Sequence, residues 1–479
     1  MSNLPIRTST GEAAILEEGA VASLSSNVRG AVLRPGDQGY DEGRAVWNGM
    51  IDRRPALIVG CTGAEDVLEA VRFARTHNLL VSVRGGSHGV AGLATCEGGI
   101  VIDLSAMKDV HVDPQARTVR AGGGAKWGDL DPATQAFGLA APGGVVSDTG
   151  IAGLTLGGGY GHLRNKYGLS CDNLISAQVV TADGRLVRAS ETENPDLFWG
   201  IRGGGGNFGV VTSFQYRLHP VGPEVMFCLV FYHGEKTGRA LRFTREFTAA
   251  APDEISLITV LGVVPPGHEA YPREIHGIPF AAFLACYAGP PEQGERALQP
   301  LRDFSDPLID FSSRMPYVEV QKVLDADYPA RELRYYWKSL NLLELSDEAI
   351  DLIVARVKNQ PSPLTTTDIW HLGGVVPRMS DDSCAYNGRH VPFLVNAEAN
   401  WKDPQDDKAN MAWARGLIDD MKPFSDGGRY LNFPGFMEEG DAMMRAAFGH
   451  KYERLVDLKN KYDPTNLFRL NQNIKPSAT

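Results

Sequence analysis

Leu79-Leu-Val-Ser-Val-Arg-Gly-Gly-Ser-His-Gly89 decides how this chain is read. Its β-branched apolar run predicts a strand over 79–83, and that strand empties directly into a glycine pair and a histidine. Upstream, Ala56 to Gly60 is a second short apolar run. Thr62-Gly-Ala-Glu65 then has the spacing of a capping box, and Val67, Leu68, Val71 and Ala74 follow at helical intervals. The order is strand, helix, strand. Downstream the signals change to hairpins: Ile100 to Leu104 with Val110 to Val112, then Thr118 to Ala121 beyond an Asp113-Pro114 turn. Ile175 to Val180 and Leu186 to Ala189 are joined by Asp183-Gly184, a hairpin turn pair. One crossover mixed with several hairpins predicts an α+β architecture. No GxGxxG stands between the first strand and the first helix, so a nicotinamide-type fold loses its main support.

Glycine is the compositional signal that agrees with this reading. There are 53 glycines in 479 residues, well above the usual share of about 7%. Six dense clusters fall between residues 85 and 210, and the stretch from about 225 to 425 has far fewer. Pro220-Val-Gly-Pro223 marks the change, since it continues neither a helix nor a central strand. With 43% hydrophobic residues and 22% charged ones, disorder is excluded. A net charge of −11 with no basic patch speaks against nucleic acid. No run reaches the roughly 18 apolar residues of a membrane helix. The N-terminal stretch lacks the basic start and apolar run of a secretory signal, so the expectation is a cytoplasmic protein. Six scattered cysteines show neither a CxxC pair nor metal-ligand spacing; they read as small buried residues in a reducing compartment, and no metal is expected.

From 225 onward the pattern is strands with interleaved helices, among them Phe227 to Tyr232, Phe280 to Tyr287 and a helix over 409–421. Asp441 to Tyr462 reads as helical and stops at Asp463-Pro464. The Asn466-Leu-Phe-Arg-Leu-Asn-Gln-Asn473 stretch that follows is too polar for an ordinary tail.

Bare backbone lets a loop approach a ligand closely and aim successive N–H groups at an anion. Two loops suit a diphosphate and the flat ring attached to it: Arg84 to Gly89, and Pro142 through Gly153 to Gly161. Each cluster alone serves equally as a tight turn or bulge; together, with His88 fixed inside the first, they favour a ligand. Neutral imidazole is also a nucleophile that can bond an electrophilic cofactor carbon.

These residues carry a resemblance. Arg84 to His88, Gly150-Ile-Ala-Gly-Leu-Thr-Leu-Gly-Gly-Gly-Tyr-Gly161, Lys166 to Asn173, Asn194 to Trp199, Gly203 to Val211 and Tyr462 to Asn473 stand in the order found in berberine-bridge-enzyme-like FAD-linked oxidases. That family lies within the vanillyl-alcohol-oxidase (p-cresol-methylhydroxylase) flavoprotein superfamily. The resemblance implies a two-part FAD-binding domain, residues 1–222 and the returning segment 426–479, with a substrate domain inserted over 223–425 as an antiparallel sheet covered by helices. It implies FAD held by Arg84, Gly85, Gly86, Ser87, Gly89, Val90, Gly144, Val146, Asp148, Thr149, Gly150, Gly153, Gly159, Tyr160, Gly161, Gly209, Val210, Asn471 and Asn473. His88 takes the position of the histidine bonded to the flavin 8α-methyl carbon. Many members add a second bond from a cysteine just before the second loop. Anchored on Gly157 to Gly161, that position is Val146 here, so a single attachment through His88 is implied.

The chemistry implied is hydride removal from an alcohol carbon of a sugar or secondary metabolite, with O₂ reduced to hydrogen peroxide. A dehydrogenase using another acceptor, oxidation of a C–N bond, oxidative ring closure, and a non-catalytic flavin- or carbohydrate-binding protein are the alternatives. Tyr430 matches the family tyrosine that faces the ring, and it would need a neighbouring cation or hydrogen bond to serve as a base near neutrality. Asn432 is expected on the same strand face. Tyr335, Tyr336, Trp337, Lys338, Trp370 and Tyr386 suit either substrate walls or core, with Trp370 and Tyr386 expected on strands. His371 is a further candidate base, and Arg389-His390 reads as a solvated loop. The partners expected are a small-molecule substrate and O₂, for a monomer or homodimer.

Overall fold

Strand Leu57–Gly60, helix Ala64–Thr76 and strand Val81–Arg84 form the crossover read from the sequence. The computed structural model describes residues 3–436, 438 and 440–477. Both strands pair in parallel with Ile100–Asp103 between them, and Val32–Leu33 closes one edge antiparallel. Ile100–Asp103 thus belongs to the parallel sheet and forms no hairpin with Val110–Asp113. Its buried side chains explain why: Ile100 and Ile102 pack with Val67, Val71 and Val81 in one core. The capping box does not form as expected. Helix Ala64–Thr76 has Gly63 as its N-cap, and the Asp66 carboxylate takes hydrogen bonds from the Thr62 N–H, the Thr62 hydroxyl and the Arg29 N–H. A buried carboxylate in the first turn satisfies orphan donors that the exposed Glu65 leaves alone.

Five antiparallel strands make a second sheet, in the order Leu186–Ser190, Leu174–Val180, Val210–Arg217, Thr118–Gly122, Val110–Asp113. The Asp183-Gly184 hairpin forms as predicted, with Gly184 at φ +76°. Helices Gly440–Phe448 and Tyr452–Tyr462 occupy the stretch read as one helix. They return to this sheet, placing Met443, Phe448 and Leu455 in a core with Trp127, Phe198 and Phe214. Leu467 and Phe468 continue into the core of the first sheet.

The third sheet has eight strands, all antiparallel, with Ile255–Val263, Thr366–His371, Phe393–Trp401 and Arg334–Leu342 as consecutive neighbours. Its side chains alternate between two environments. Leu257, Leu261, Ile369, Val395 and Ala397 pack under helices Thr237–Ala249, Asp347–Val357 and Asp407–Met421. The intervening positions, Ile258, Val260, Asp368, Trp370 and Glu398, face a cavity toward the glycine loops. The architecture is α+β. No helix among the described residues is long and apolar enough to cross a membrane.

Candidate active site

The two glycine loops touch through their backbones. A Cβ built on Gly86 would lie 2.4 Å from Gly150 Cα, and one on Gly150 would lie 2.5 Å from Gly86 N. No side chain fits there, so both glycines are required for the loops to meet. Between them opens a cavity of about 650 Å³ that runs from Val210 and Asn471 past His88 to Trp370. Gly89, Gly153 and Gly206 line it for a different reason: a Cβ on any of them would meet nothing within 4 Å. There the missing side chain leaves room for something other than protein.

His88 is half-buried on the cavity wall, with its ring stacked on Trp47 at 4.1 Å and 20°. Trp47 stacks in turn on Tyr335 at 3.7 Å. Burial pushes the imidazole down to about 4, so the ring is neutral at physiological pH, and its Nε2 has no hydrogen-bond partner. Buried Asn471 Oδ1, Gln472 Oε1 and Asn473 Oδ1, on the returning C-terminal segment, are likewise unpartnered. Orphaned amide acceptors are costly unless a ligand supplies donors. A cavity with bare backbone, a neutral free imidazole and two waiting acceptors, Asn471 and Gln472, fits the diphosphate, ribityl chain and ring of FAD.

Tyr430 and Asn432 come together, although residues 428–433 are irregular chain with a turn at 431–432 and not a strand. The Tyr430 hydroxyl oxygen accepts from the Gly159 N–H and Tyr160 N–H at 3.1 Å each and from Asn432 Nδ2 at 2.8 Å. Burial raises the phenol, these three donors pull it back, and the balance leaves it at about 12. The Tyr160 ring lies parallel to it at 3.9 Å, and the Tyr160 hydroxyl hydrogen-bonds that of Tyr386.

Opposite, Asp368 and Glu398 stand on adjacent strands of the third sheet, both buried. The Tyr328 hydroxyl and Asn396 Nδ2 each donate to Glu398 at 2.6 Å, while Asp368 Oδ1 has no partner. Burial raises Asp368 to about 7, and burial with the neighbouring Asp368 raises Glu398 well above its ordinary range. Both carboxyls hold their protons more tightly than free carboxylic acids do. Sequence reading missed this pair, and also Trp47. The available signal was a polar residue at every second position of otherwise apolar strands: Thr366, Asp368 and then Asn396, Glu398, Asn400.

The other expected site residues divide. Gly85, Gly86, Ser87, Gly89, Val90, Val146, Thr149, Gly150, Gly153, Tyr160, Gly209 and Val210 line the main cavity. Arg84 and Asp148 face a smaller cleft behind the His88 loop, where Lys126 pairs with Asp148 and Arg84 reaches the Gly43 and Ala45 carbonyls. Gly144, Gly159, Gly161 and Asn473 stand behind the wall. His371 is off the cavity altogether: its Nδ1 lies 3.2 Å from Asn165 Nδ2, and burial with the Arg164 charge lowers its basicity to about 3. Tyr336 faces the helix-covered core, whereas Trp337 faces the cavity. Trp370 lies on a strand and Tyr386 on a loop. Arg389 is not solvated; it is buried against Asp172.

Residues 55–190 match the family model for an FAD binding domain, and residues 429–475 match the model described as berberine and berberine like. An FAD-linked oxidoreductase of Dictyostelium discoideum is 32% identical over 461 residues, covering 95% of this chain and 97% of that one. Among solved structures, 6-hydroxy-D-nicotine oxidase from Arthrobacter nicotinovorans superposes with a TM-score of 0.84 at 29% identity, over 94% of this chain and 98% of that one. A chitooligosaccharide oxidase reaches 0.84 at 25% identity, over 96% and 100%. Fold and site thus define an FAD-binding oxidoreductase. The chain belongs to the berberine-bridge-enzyme-like FAD-linked oxidases of the vanillyl-alcohol-oxidase superfamily.

Proposed function

We propose that this protein is an oxidase that removes hydride from a carbon bearing a hydroxyl in a compact ring-containing substrate, with O₂ as electron acceptor and hydrogen peroxide as product. The observation that carries the reading is the unpartnered Asp368 oxygen in an aromatic cavity wall, raised by burial to about 7. FAD, when bound, supplies the hydride acceptor and the route from substrate to O₂. Residues 1–222 and 426–479 hold it, with one covalent bond through His88, and residues 223–425 hold the substrate.

The chain's own residues divide the remaining work. Asp368, with Glu398 beside it, takes the hydroxyl proton; a base titrating near 7 is matched to neutral operation. Tyr430, expected from the sequence to be that base, is better suited to donate. At about 12 it stays protonated at neutral pH, and its own hydrogen has no acceptor among the described residues, so the hydroxyl can hold a substrate heteroatom in place. Trp337, Trp370 and Phe433 exclude water from the reacting carbon. A second reading, oxidation of a C–N bond, is favoured by the same acid pair, which would also receive a cationic amine, and by the likeness to 6-hydroxy-D-nicotine oxidase.

The test has two parts. Acid precipitation of purified protein yields a yellow pellet; a colourless pellet under a yellow supernatant refutes covalent attachment. Cyclic alcohols, sugars and cyclic amines are then screened for anaerobic bleaching and for peroxide release in air. Bleaching by alcohols with peroxide formation supports the proposal, bleaching without peroxide identifies a dehydrogenase, and bleaching by amines alone selects the second reading.

A further inference from the structure

Outside the cavity, the fold brings together two cysteines that are remote in the chain. Cys171 lies in the segment behind the second glycine loop, with its N–H on the Gly158 carbonyl at 2.9 Å. Cys384 lies two residues before Tyr386, whose hydroxyl meets Tyr160. The two sulfurs and an Asp172 carboxylate oxygen sit within 4.8 Å of one another. Buried Arg389 completes the cluster: Nη2 is 3.1 Å from Cys384 Sγ, and both Nη groups contact the Asp172 carboxylate. This fixed guanidinium charge makes the cluster a poor place for a metal cation. It suits a thiolate.

The two thiols are electrostatically unlike. The neighbouring Cys171 thiol and the Arg389 charge hold Cys384 well below the ordinary thiol range, while burial raises Cys171, whose S–H is directed at Asp172 Oδ1 at 3.8 Å. Burial also raises Cys61, Cys96, Cys228 and Cys286.

We propose that Cys384 and Cys171 form a peroxide-reactive dithiol that closes to a disulfide across the two parts of the chain. The Cys384 thiolate attacks a hydroperoxide oxygen, the O–O bond breaks, and Cys384 becomes a sulfenic acid as hydroxide leaves and takes up a proton to become water. The Cys171 sulfur then attacks the sulfenic sulfur, forming the S–S bond and releasing a second water. Two thiols lose two electrons and two protons, and hydrogen peroxide becomes two waters. The bond would tie the segment supporting Gly158 to the loop carrying Tyr386. In the cell the oxidant would be the product assigned under the proposed function; added from outside, it makes the dithiol testable without any turnover.

Purified holoprotein is treated with hydrogen peroxide, its remaining thiols are blocked, and its peptides are weighed. The expected result is a joined Cys171–Cys384 peptide pair lighter by two hydrogens, formed at least about tenfold faster than oxidation at the other four cysteines. Cys171→Ser halts the reaction at a sulfenic acid on Cys384 that dimedone captures, and Cys384→Ser leaves Cys171 reduced. Should either variant fail to fold, a short dimedone pulse during peroxide treatment of the wild type reads the same order, with Cys384 labelled first. Absence of the joined pair, or oxidation of Cys384 no faster than that of Cys228 and Cys286, overturns the proposal.

Discussion

Replacing Asp368 with asparagine separates a proton acceptor from a mere wall residue. Burial raises this carboxyl from 3.8 to about 7. At 1.36 kcal/mol per pKa unit, ionising it in place costs up to about 4 kcal/mol relative to the unfolded chain. Because the folded-state value is the higher one, the folded protein holds this proton more tightly than the unfolded chain does. The stabilisation is complete below about pH 4 and is lost as pH rises toward 7. Between pH 5 and pH 8 the wild type should lose about 3 kcal/mol from this source, and Asp368→Asn should not. With an unfolding entropy of about 2.1 cal/mol/K per residue over a chain this long, that corresponds to about 3 °C in Tm. The assay is thermal unfolding of holoprotein, wild type beside variant, at both pH values and one scan rate. The variant's Tm relative to wild type should rise by about 3 °C from pH 5 to pH 8. In turnover, wild-type kcat/KM should climb through pH 7, whereas the variant should lose roughly a hundredfold and that pH limb with it. A Tm gap constant within about 1 °C, together with an unchanged pH profile, would refute both the raised acid and its role.

His88→Ala should release flavin into the acid supernatant while the native protein keeps a reduced flavin content, and a pellet that stayed yellow would place the attachment elsewhere. Tyr430→Phe removes the acceptor of three buried N–H groups, so Tm should fall by the equivalent of about 1–3 kcal/mol. Its kcat/KM should drop while the limb near pH 7 persists; loss of that limb would return the base to Tyr430. The two kinds of glycine predict opposite failures. Gly153→Val, entering open cavity space, should keep the apoprotein's Tm within about 2 °C and abolish flavin uptake. Gly86→Ala meets Gly150 backbone at 2.4 Å and should destabilise the fold whether or not flavin is bound.

The crossover, the Asp183-Gly184 hairpin and the glycine loops were legible because each is set by neighbours in sequence. A strand that ends in Gly-Gly needs no distant partner to be recognised. What stayed hidden depends on contacts remote in the chain. Ile100–Asp103 reads as half a hairpin until Leu57–Gly60 and Val81–Arg84 are seen flanking it in parallel. Arg389 beside His390 looks solvated until Asp172 closes on it. His371 sits next to a cavity-facing tryptophan, but alternation along the strand turns its ring away to Asn165. Asp368 and Glu398 lie 30 residues apart and reveal their pairing only through strand register, which no local pattern supplies.

The His88 loop and the sheet that carries Asp368 and Glu398 come from different parts of the chain, so their separation must be fixed by a third element. Residues 47–49 provide it. Asn48 Nδ2 donates to the Val90 carbonyl at 2.7 Å, beside His88, and to the Tyr335 carbonyl at 2.8 Å, on the third sheet. Its Oδ1 accepts the Tyr335 N–H, and the Gly49 N–H reaches the Leu333 carbonyl at 3.0 Å. Trp47 stacks between the His88 and Tyr335 rings. A fully buried asparagine with both amide hydrogens and its oxygen engaged has one low-energy orientation, so it transmits position rather than merely filling space. The His88 loop is therefore registered against the sheet that carries Asp368 and Glu398, not left to the glycine contacts alone. On the proposed function, substitutions on the cavity face of that sheet change which substrate is held while the His88 loop stays where Asn48 and Trp47 fix it.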